Sequence, residues 1–143
     1  ETPAPQPMAT PALTEMPSLS VLLVDDIAVN RLVARKLLER LGHRVTEATD
    51  GLEAVAAVEA AAYDVVLMDV EMPILDGYGA TARIRELAGE RAHVPIIALT
   101  ANALAGDREN ALAAGLDDYL SKPLERSALV EALQRATTKE LTP

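Results

Sequence analysis

Three short aliphatic runs mark the chain: "VLLV" at 21–24, "VVLM" at 65–68 and "IIAL" at 96–99. None alternates apolar with polar, as a strand with one wet face would. Uninterrupted runs of this length predict parallel strands covered by helices on both faces. "RVTEAT" (44–49) and "DDYL" (117–120) are more polar and predict the outer strands. The segments between carry helical spacing. In the first, Val29, Val33, Leu37 and Leu41 fall on one predicted apolar face, while Arg31, Arg35 and Glu39 fall elsewhere. Gly42 supplies the stop. Further helices are predicted near 52–61, 78–88, 103–114 and 124–136. Strand–helix units of about 20 to 30 residues are what a right-handed parallel crossover needs. The prediction is a doubly wound α/β sheet, with strand order 2-1-3-4-5 as the arrangement that would gather the polar strand ends.

The flanks break this pattern. Residues 1–18 hold five of the nine prolines without periodicity and predict an extended linker ahead of a folded domain over 19–137. Residues 138–143 predict a disordered tail. Glu1 in place of an initiating Met predicts a longer parent polypeptide.

Composition narrows the partners. The 143 residues carry 22 acids against 13 bases, a formal charge of -9, so the basic footprint required by nucleic acid or anionic membrane is missing. Without cysteine, disulfides and thiolate metal sites are excluded. No apolar run approaches the roughly 18 residues that would span a bilayer. A cytoplasmic protein, or the soluble part of a membrane-anchored one, is expected.

The informative regularity lies at the carboxyl ends of the strands. The first run ends in Asp25-Asp26, the third strand in Asp69 and the fourth in Thr100, and the fifth strand ends in Ser121-Lys122-Pro123. These positions form the carboxyl edge, where open parallel sheets bind ligands. Order 2-1-3-4-5 brings Asp25, Asp26 and Asp69 together, with Thr100 and Lys122 lining the far side. Singly, each residue has a plainer reading. Asp26 or Thr100 caps a helix, Lys122 is a solvated lysine, and Tyr119 fills an edge strand. Asp76-Gly77 reads as a turn, and His43 and His93 as exposed. Together, three Asp, a Thr and a Lys at strand ends exceed what capping explains.

Three close carboxylates repel, which raises at least one pKa unless a cation is present. Oxygen-only ligands favour Mg²⁺. The loop "VDDIAVN" is acidic where a nucleotide-phosphate loop would offer glycines and backbone N–H groups. Metal, lysine, hydroxyl and a free carboxylate together suit phosphoryl transfer with carboxylate attack. Asp69, on the middle strand, is the expected nucleophile.

At these residues the chain resembles the receiver domain of bacterial two-component systems, through "VLLVDD", "VVLMDVEMPILDGYG", "PIIALTANA" and "GLDDYLSKPL". With "NRLVARKLLERLG", the wording is most similar to receivers of hybrid sensor histidine kinases. The resemblance implies a flavodoxin-like (βα)5 three-layer sandwich, which promotes its own aspartyl phosphorylation and dephosphorylation. It implies that Asp69 accepts a phosphoryl group from a phosphohistidine on a histidine kinase or histidine phosphotransfer domain. Asp25, Asp26, Asp69 and the Glu71 backbone carbonyl would hold Mg²⁺, for which Mn²⁺ substitutes. Thr100 and Lys122 would bind the phosphoryl oxygens, and Tyr119 would be a switch aromatic. Pro123 would sit at a cis bond. The face made by the fourth helix, fifth strand and fifth helix would change on phosphorylation and serve any dimer. Ile27 departs from the Asn common in hybrid-kinase receivers, while Glu71 and Asn102 occupy lifetime-tuning positions. The rival readings are a free-standing regulator, an interaction-only receiver that is never phosphorylated, and an aspartate-based phosphatase. The last needs its motif at the first strand and a cap domain, and neither is visible.

Overall fold

The computed structural model describes residues 18–72, 74–100, 109, 113–122 and 124–141. Five strands form one parallel sheet: β1 (Ser20–Val24), β2 (Arg44–Ala48), β3 (Val65–Asp69), β4 (Ile96–Thr100) and β5 (Asp118–Ser121). Their order is β2-β1-β3-β4-β5, so the two polar strands lie at the margins as predicted. The helices are α1 (Ala28–Arg40), α2 (Gly51–Ala60), α3 (Gly77–Arg85) and α4 (Arg126–Leu141), with a 3₁₀ turn at Gly89–His93. The helix predicted at 103–114 lies largely outside the described residues, as do Asn102, Pro123 and residues 1–17.

The two-residue period of the strands divides the core into two layers. Val21, Leu23, Leu67 and Leu99 point to the face covered by Ala34 and Leu38 of α1 and by Leu129 and Leu133 of α4. Leu22, Val24, Met68 and Ala98 point to the other face, against Ala54 and Val58 of α2 and Ala80 and Ile84 of α3. Every residue of β3 and β4 is buried, Asp69 and Thr100 included.

Three expectations are corrected. The buried face of α1 is Ala34 and Leu38, not Val29 and Val33, which are 61% and 57% exposed. A four-residue spacing from Ala34 to Leu38 satisfies the same periodicity, and the small Ala34 lets the helix lie close to the sheet. His43 is buried rather than exposed, because its Nδ1 accepts the Leu19 backbone N–H at 3.0 Å where the chain enters β1. The tail expected from 138 instead begins as helix, since α4 runs to Leu141. No Gly or Pro interrupts "TTKEL", and Thr137 Oγ1 donates back to the Leu133 carbonyl at 2.8 Å within the helix.

The helix ends are fixed locally. Asp50 caps α2 by accepting from Glu53 N, while Glu53 accepts the Thr49 backbone N–H and hydroxyl, each at 2.8 Å. Asp76 caps α3 through Gly79 N. After α1, Gly42 takes φ +95°, which a side chain would strain.

Candidate functional site

The predicted edge residues converge. Carboxylate oxygens of Asp25, Asp26 and Asp69 lie within 4.8 Å of one another. Strand register explains this: Val24 is level with Met68, so the residues just beyond them, Asp25 and Asp69, emerge side by side. Asp25 and Asp69 are 2% and 3% exposed, whereas Asp26 faces solvent. Asp26 does not cap α1, whose N-cap position is Ile27 without a side-chain bond.

Lys122 is only partly solvated, and it lies against the carboxylates rather than across the site from them. Its Nζ stands 3.1 Å from Asp69 Oδ2 and 3.3 Å from Asp25 Oδ2. Its backbone N–H donates to the Thr100 carbonyl at 2.8 Å, which ties the loop after β5 to the end of β4. Thr100 is buried there, one rung beyond the Leu99–Asp69 pair. Tyr119, level with Ala98, is half-buried against the α2–α3 core layer.

Each buried carboxylate has its partners. Asp69 Oδ1 accepts the Glu71 N–H at 3.0 Å, and Asp25 Oδ1 accepts the Ile27 N–H at 3.0 Å. Burial nevertheless pushes the Asp69 pKa up, with help from the Asp25 charge; the Glu71 N–H and Lys122 oppose it without cancelling it. Burial alone would lower the Lys122 pKa, but Asp69 and Asp25 outweigh it and hold the ammonium above its ordinary value. The expected rise at one carboxylate is found, with burial as its main cause.

Gly77 is required by close approach. A Cβ there would stand 2.5 Å from the Asp69 carbonyl oxygen and 2.8 Å from Val70 Cα. The turn after β3 can therefore fold against the strand end. Ile74 in that turn takes φ +71° and is 75% exposed, an unusual backbone for a β-branched residue.

Arg31 joins the site although its helical position reads as a solvent-facing charge. Its Nη1 donates to the Asp25 carbonyl at 2.8 Å, and its Nε to Glu47 Oε1 at 3.0 Å. No spacing in the sequence announces it, because Glu47 comes from a neighbouring strand.

The cluster fits a hard divalent cation. It offers carboxylate oxygens from two adjacent strands, and the buried charge on Asp25 and Asp69 is balanced among the described residues by Lys122.

A family model for the response regulator receiver domain matches residues 21–134. The chain belongs to that family, and is a receiver domain of two-component signalling. Two-component system protein A of Emericella nidulans is 43% identical over 134 residues, covering 89% of this chain and 19% of that protein. The sensor protein GacS of Pseudomonas syringae pv. syringae is 44% identical over 119 residues, covering 82% of this chain and 13% of that protein. The chain thus spans less than a fifth of these relatives. A solved receiver domain from a sensor histidine kinase of Pseudomonas aeruginosa PAO1, with a magnesium ion coordinated in its active site cleft, is 51% identical. Its TM-score is 0.77, and the match covers 85% of this chain and 99% of that one. Hybrid signal transduction histidine kinase I of Dictyostelium discoideum is 39% identical over 132 residues, covering 88% of this chain and 8% of that protein.

Proposed function

We propose that Asp69 accepts a phosphoryl group from a phosphohistidine on a histidine kinase or phosphotransfer domain. The observation that carries this reading is the Lys122 ammonium 3.1 Å from Asp69, beside three clustered carboxylates. In the transfer, an Asp69 carboxylate oxygen forms the new P–O bond as the P–N bond to imidazole breaks, and the departing imidazole takes up a proton. Lys122 remains charged throughout and neutralises phosphoryl oxygens, while the Thr100 hydroxyl donates to one of them. The Glu71 N–H holds the other Asp69 oxygen and fixes the direction of attack.

Asp25, Asp26, Asp69 and the Glu71 carbonyl would hold Mg²⁺, with Mn²⁺ a substitute. When bound, the ion supplies further charge neutralisation at the phosphoryl oxygens. Phosphorylation would draw Thr100 and Tyr119 inward and alter the face made by the 103–114 segment, β5 and α4. The parent would be a hybrid histidine kinase, with the receiver placed after its catalytic part.

A donor surface adjoins the site. Ile27, at the N-cap of α1, and Val29, Leu32 and Val33 on its first turns are 48%, 61%, 42% and 57% exposed. An apolar stripe of this kind beside an acidic pit suits an amphipathic helix that carries the phosphohistidine.

The test is acetyl phosphate with Mg²⁺, read by intact mass. Wild type should gain one phosphoryl group and Asp69→Asn none. No gain in wild type, or equal gain in both, would sink the assignment.

A further inference from the structure

Asp25 is held at every polar group it has. Its N–H donates to the Ala48 carbonyl at 3.2 Å, its Oδ1 accepts from Ile27, and its Oδ2 accepts from Lys122. Its carbonyl accepts from Arg31 Nη1. Asp26, next in the chain, is different. Its carboxylate is exposed, and no side-chain hydrogen bond holds it among the described residues.

What orients Asp26 is therefore its backbone. The Asp25 carbonyl belongs to the planar peptide that leads into Asp26, so fixing that oxygen fixes the nitrogen and Cα of Asp26. The start of α1 has no side-chain cap to do this. The hold comes from both sides of Asp25: from the Ile27 N–H on its Oδ1 and from Arg31 on its carbonyl. Arg31 is anchored in turn by Glu47 on β2, outside the acidic cluster. The second Glu47 oxygen pairs with Arg35 Nη1 at 3.0 Å, so one carboxylate ties two turns of α1 to the edge strand. Glu47 is shared with Arg35 and so offsets only part of the Arg31 charge, and the favourable contribution of the guanidinium to a cation in the pit is therefore geometric.

We propose that Arg31 is a positioning residue for the cation site: it clamps the Asp25–Asp26 peptide against β2 and so aims the Asp26 carboxylate at Asp25 and Asp69. This rests on the Mg²⁺ role proposed above. The clamp needs two donors on one rigid fork, which Lys cannot reproduce.

The experiment is a Mg²⁺ titration of the 143-residue chain, read by ¹H–¹⁵N chemical shifts and accompanied by thermal melts. Arg31→Ala and Arg31→Lys should each bind Mg²⁺ about tenfold more weakly, the low end for loss of a group that orients a ligand. Arg35→Ala removes a Glu47 pairing without touching Asp25 and should leave the affinity in place. Glu47→Gln, which keeps Arg31, should show a smaller loss in the same direction and serves if Arg31→Ala fails to fold. Arg31→Lys separates geometry from charge. Wild-type affinity in Arg31→Lys with a lowered melting temperature would reduce Arg31 to a structural role and overturn the proposal. So would tighter binding in Arg31→Ala, or an equal loss in Arg35→Ala. A wild type whose shifts ignore Mg²⁺ would overturn the cation reading and this one together, whereas wild-type binding with unaltered variants overturns this one alone.

Discussion

Lys122 and Asp69 meet at 3.1 Å at the carboxyl edge of the sheet, and Asp25 shares the same ammonium at 3.3 Å. Lys122→Met would leave two buried carboxylates facing each other without a cation. The loss should be roughly 1–3 kcal/mol at neutral pH, below that of a fully buried pair because Lys122 is partly solvated. Mg²⁺ should restore part of it. Urea unfolding with and without Mg²⁺ checks both statements, and equal stability of variant and wild type in either buffer contradicts them.

Gly77 tests the turn behind Asp69. The Cβ of Gly77→Ala would press on backbone at Asp69 and Val70, which cannot swing aside as a side chain can. The expected cost is about 1–3 kcal/mol, with the largest amide shifts at 69–71. A wild-type spectrum and stability would show that the turn has room.

The corrected face of α1 predicts a contrast. Leu38 is fully buried, so Leu38→Ala should cost about 2–5 kcal/mol. Val29 is 61% exposed, so Val29→Ala should stay within about 0.5 kcal/mol of wild type. Denaturation midpoints that rank the two the other way would refute the assignment.

His43 sets a pH dependence. Burial lowers its pKa below the ordinary 6.5, and the nearby Asp64 charge only partly opposes this. The unfolded chain therefore binds the proton more readily than the folded one. The stability tied to neutral His43 is complete above about pH 6.5 and is lost as pH falls through that value toward the lower folded pKa. The difference in unfolding free energy between wild type and His43→Gln should shrink from pH 7.5 to 5.5. A constant difference would show that His43 keeps its unfolded pKa.

If the exposed apolar residues of α1 receive the phosphohistidine donor as proposed, a substitution there should separate donor recognition from chemistry. Val29→Glu should take phosphate from acetyl phosphate at the wild-type rate. It should lose about tenfold or more in transfer from a phosphohistidine protein, the scale of one interface hot spot. Equal losses with both donors would place the defect in the fold or the site instead.

Much of this was legible in the residue pattern, for a physical reason. β1, β3 and β4 are covered on both faces, so their sequences are continuously apolar, and a carboxylate at the end of such a run stands out. What escaped depends on contacts between distant segments. Ala34 and Leu38 share the helical period of Val29 and Val33, and periodicity alone does not prefer the smaller residue. His43 lies in a polar connection, yet it is buried because the Leu19 backbone needs an acceptor. Arg31 reads as a surface charge until Glu47 on β2 and the Asp25 carbonyl are placed beside it.

The Lys122–Asp25 bond joins residues 97 positions apart. In the sheet, β1 and β5 never pair, because β3 and β4 lie between them. One side chain thus links charge at the centre of the sheet to the loop after its outermost strand. Whatever competes for Asp25 or Asp69 releases an ammonium whose own amide is bonded to Thr100. A change of charge at the acidic pair is thus felt, through one side chain, at the ends of both β4 and β5.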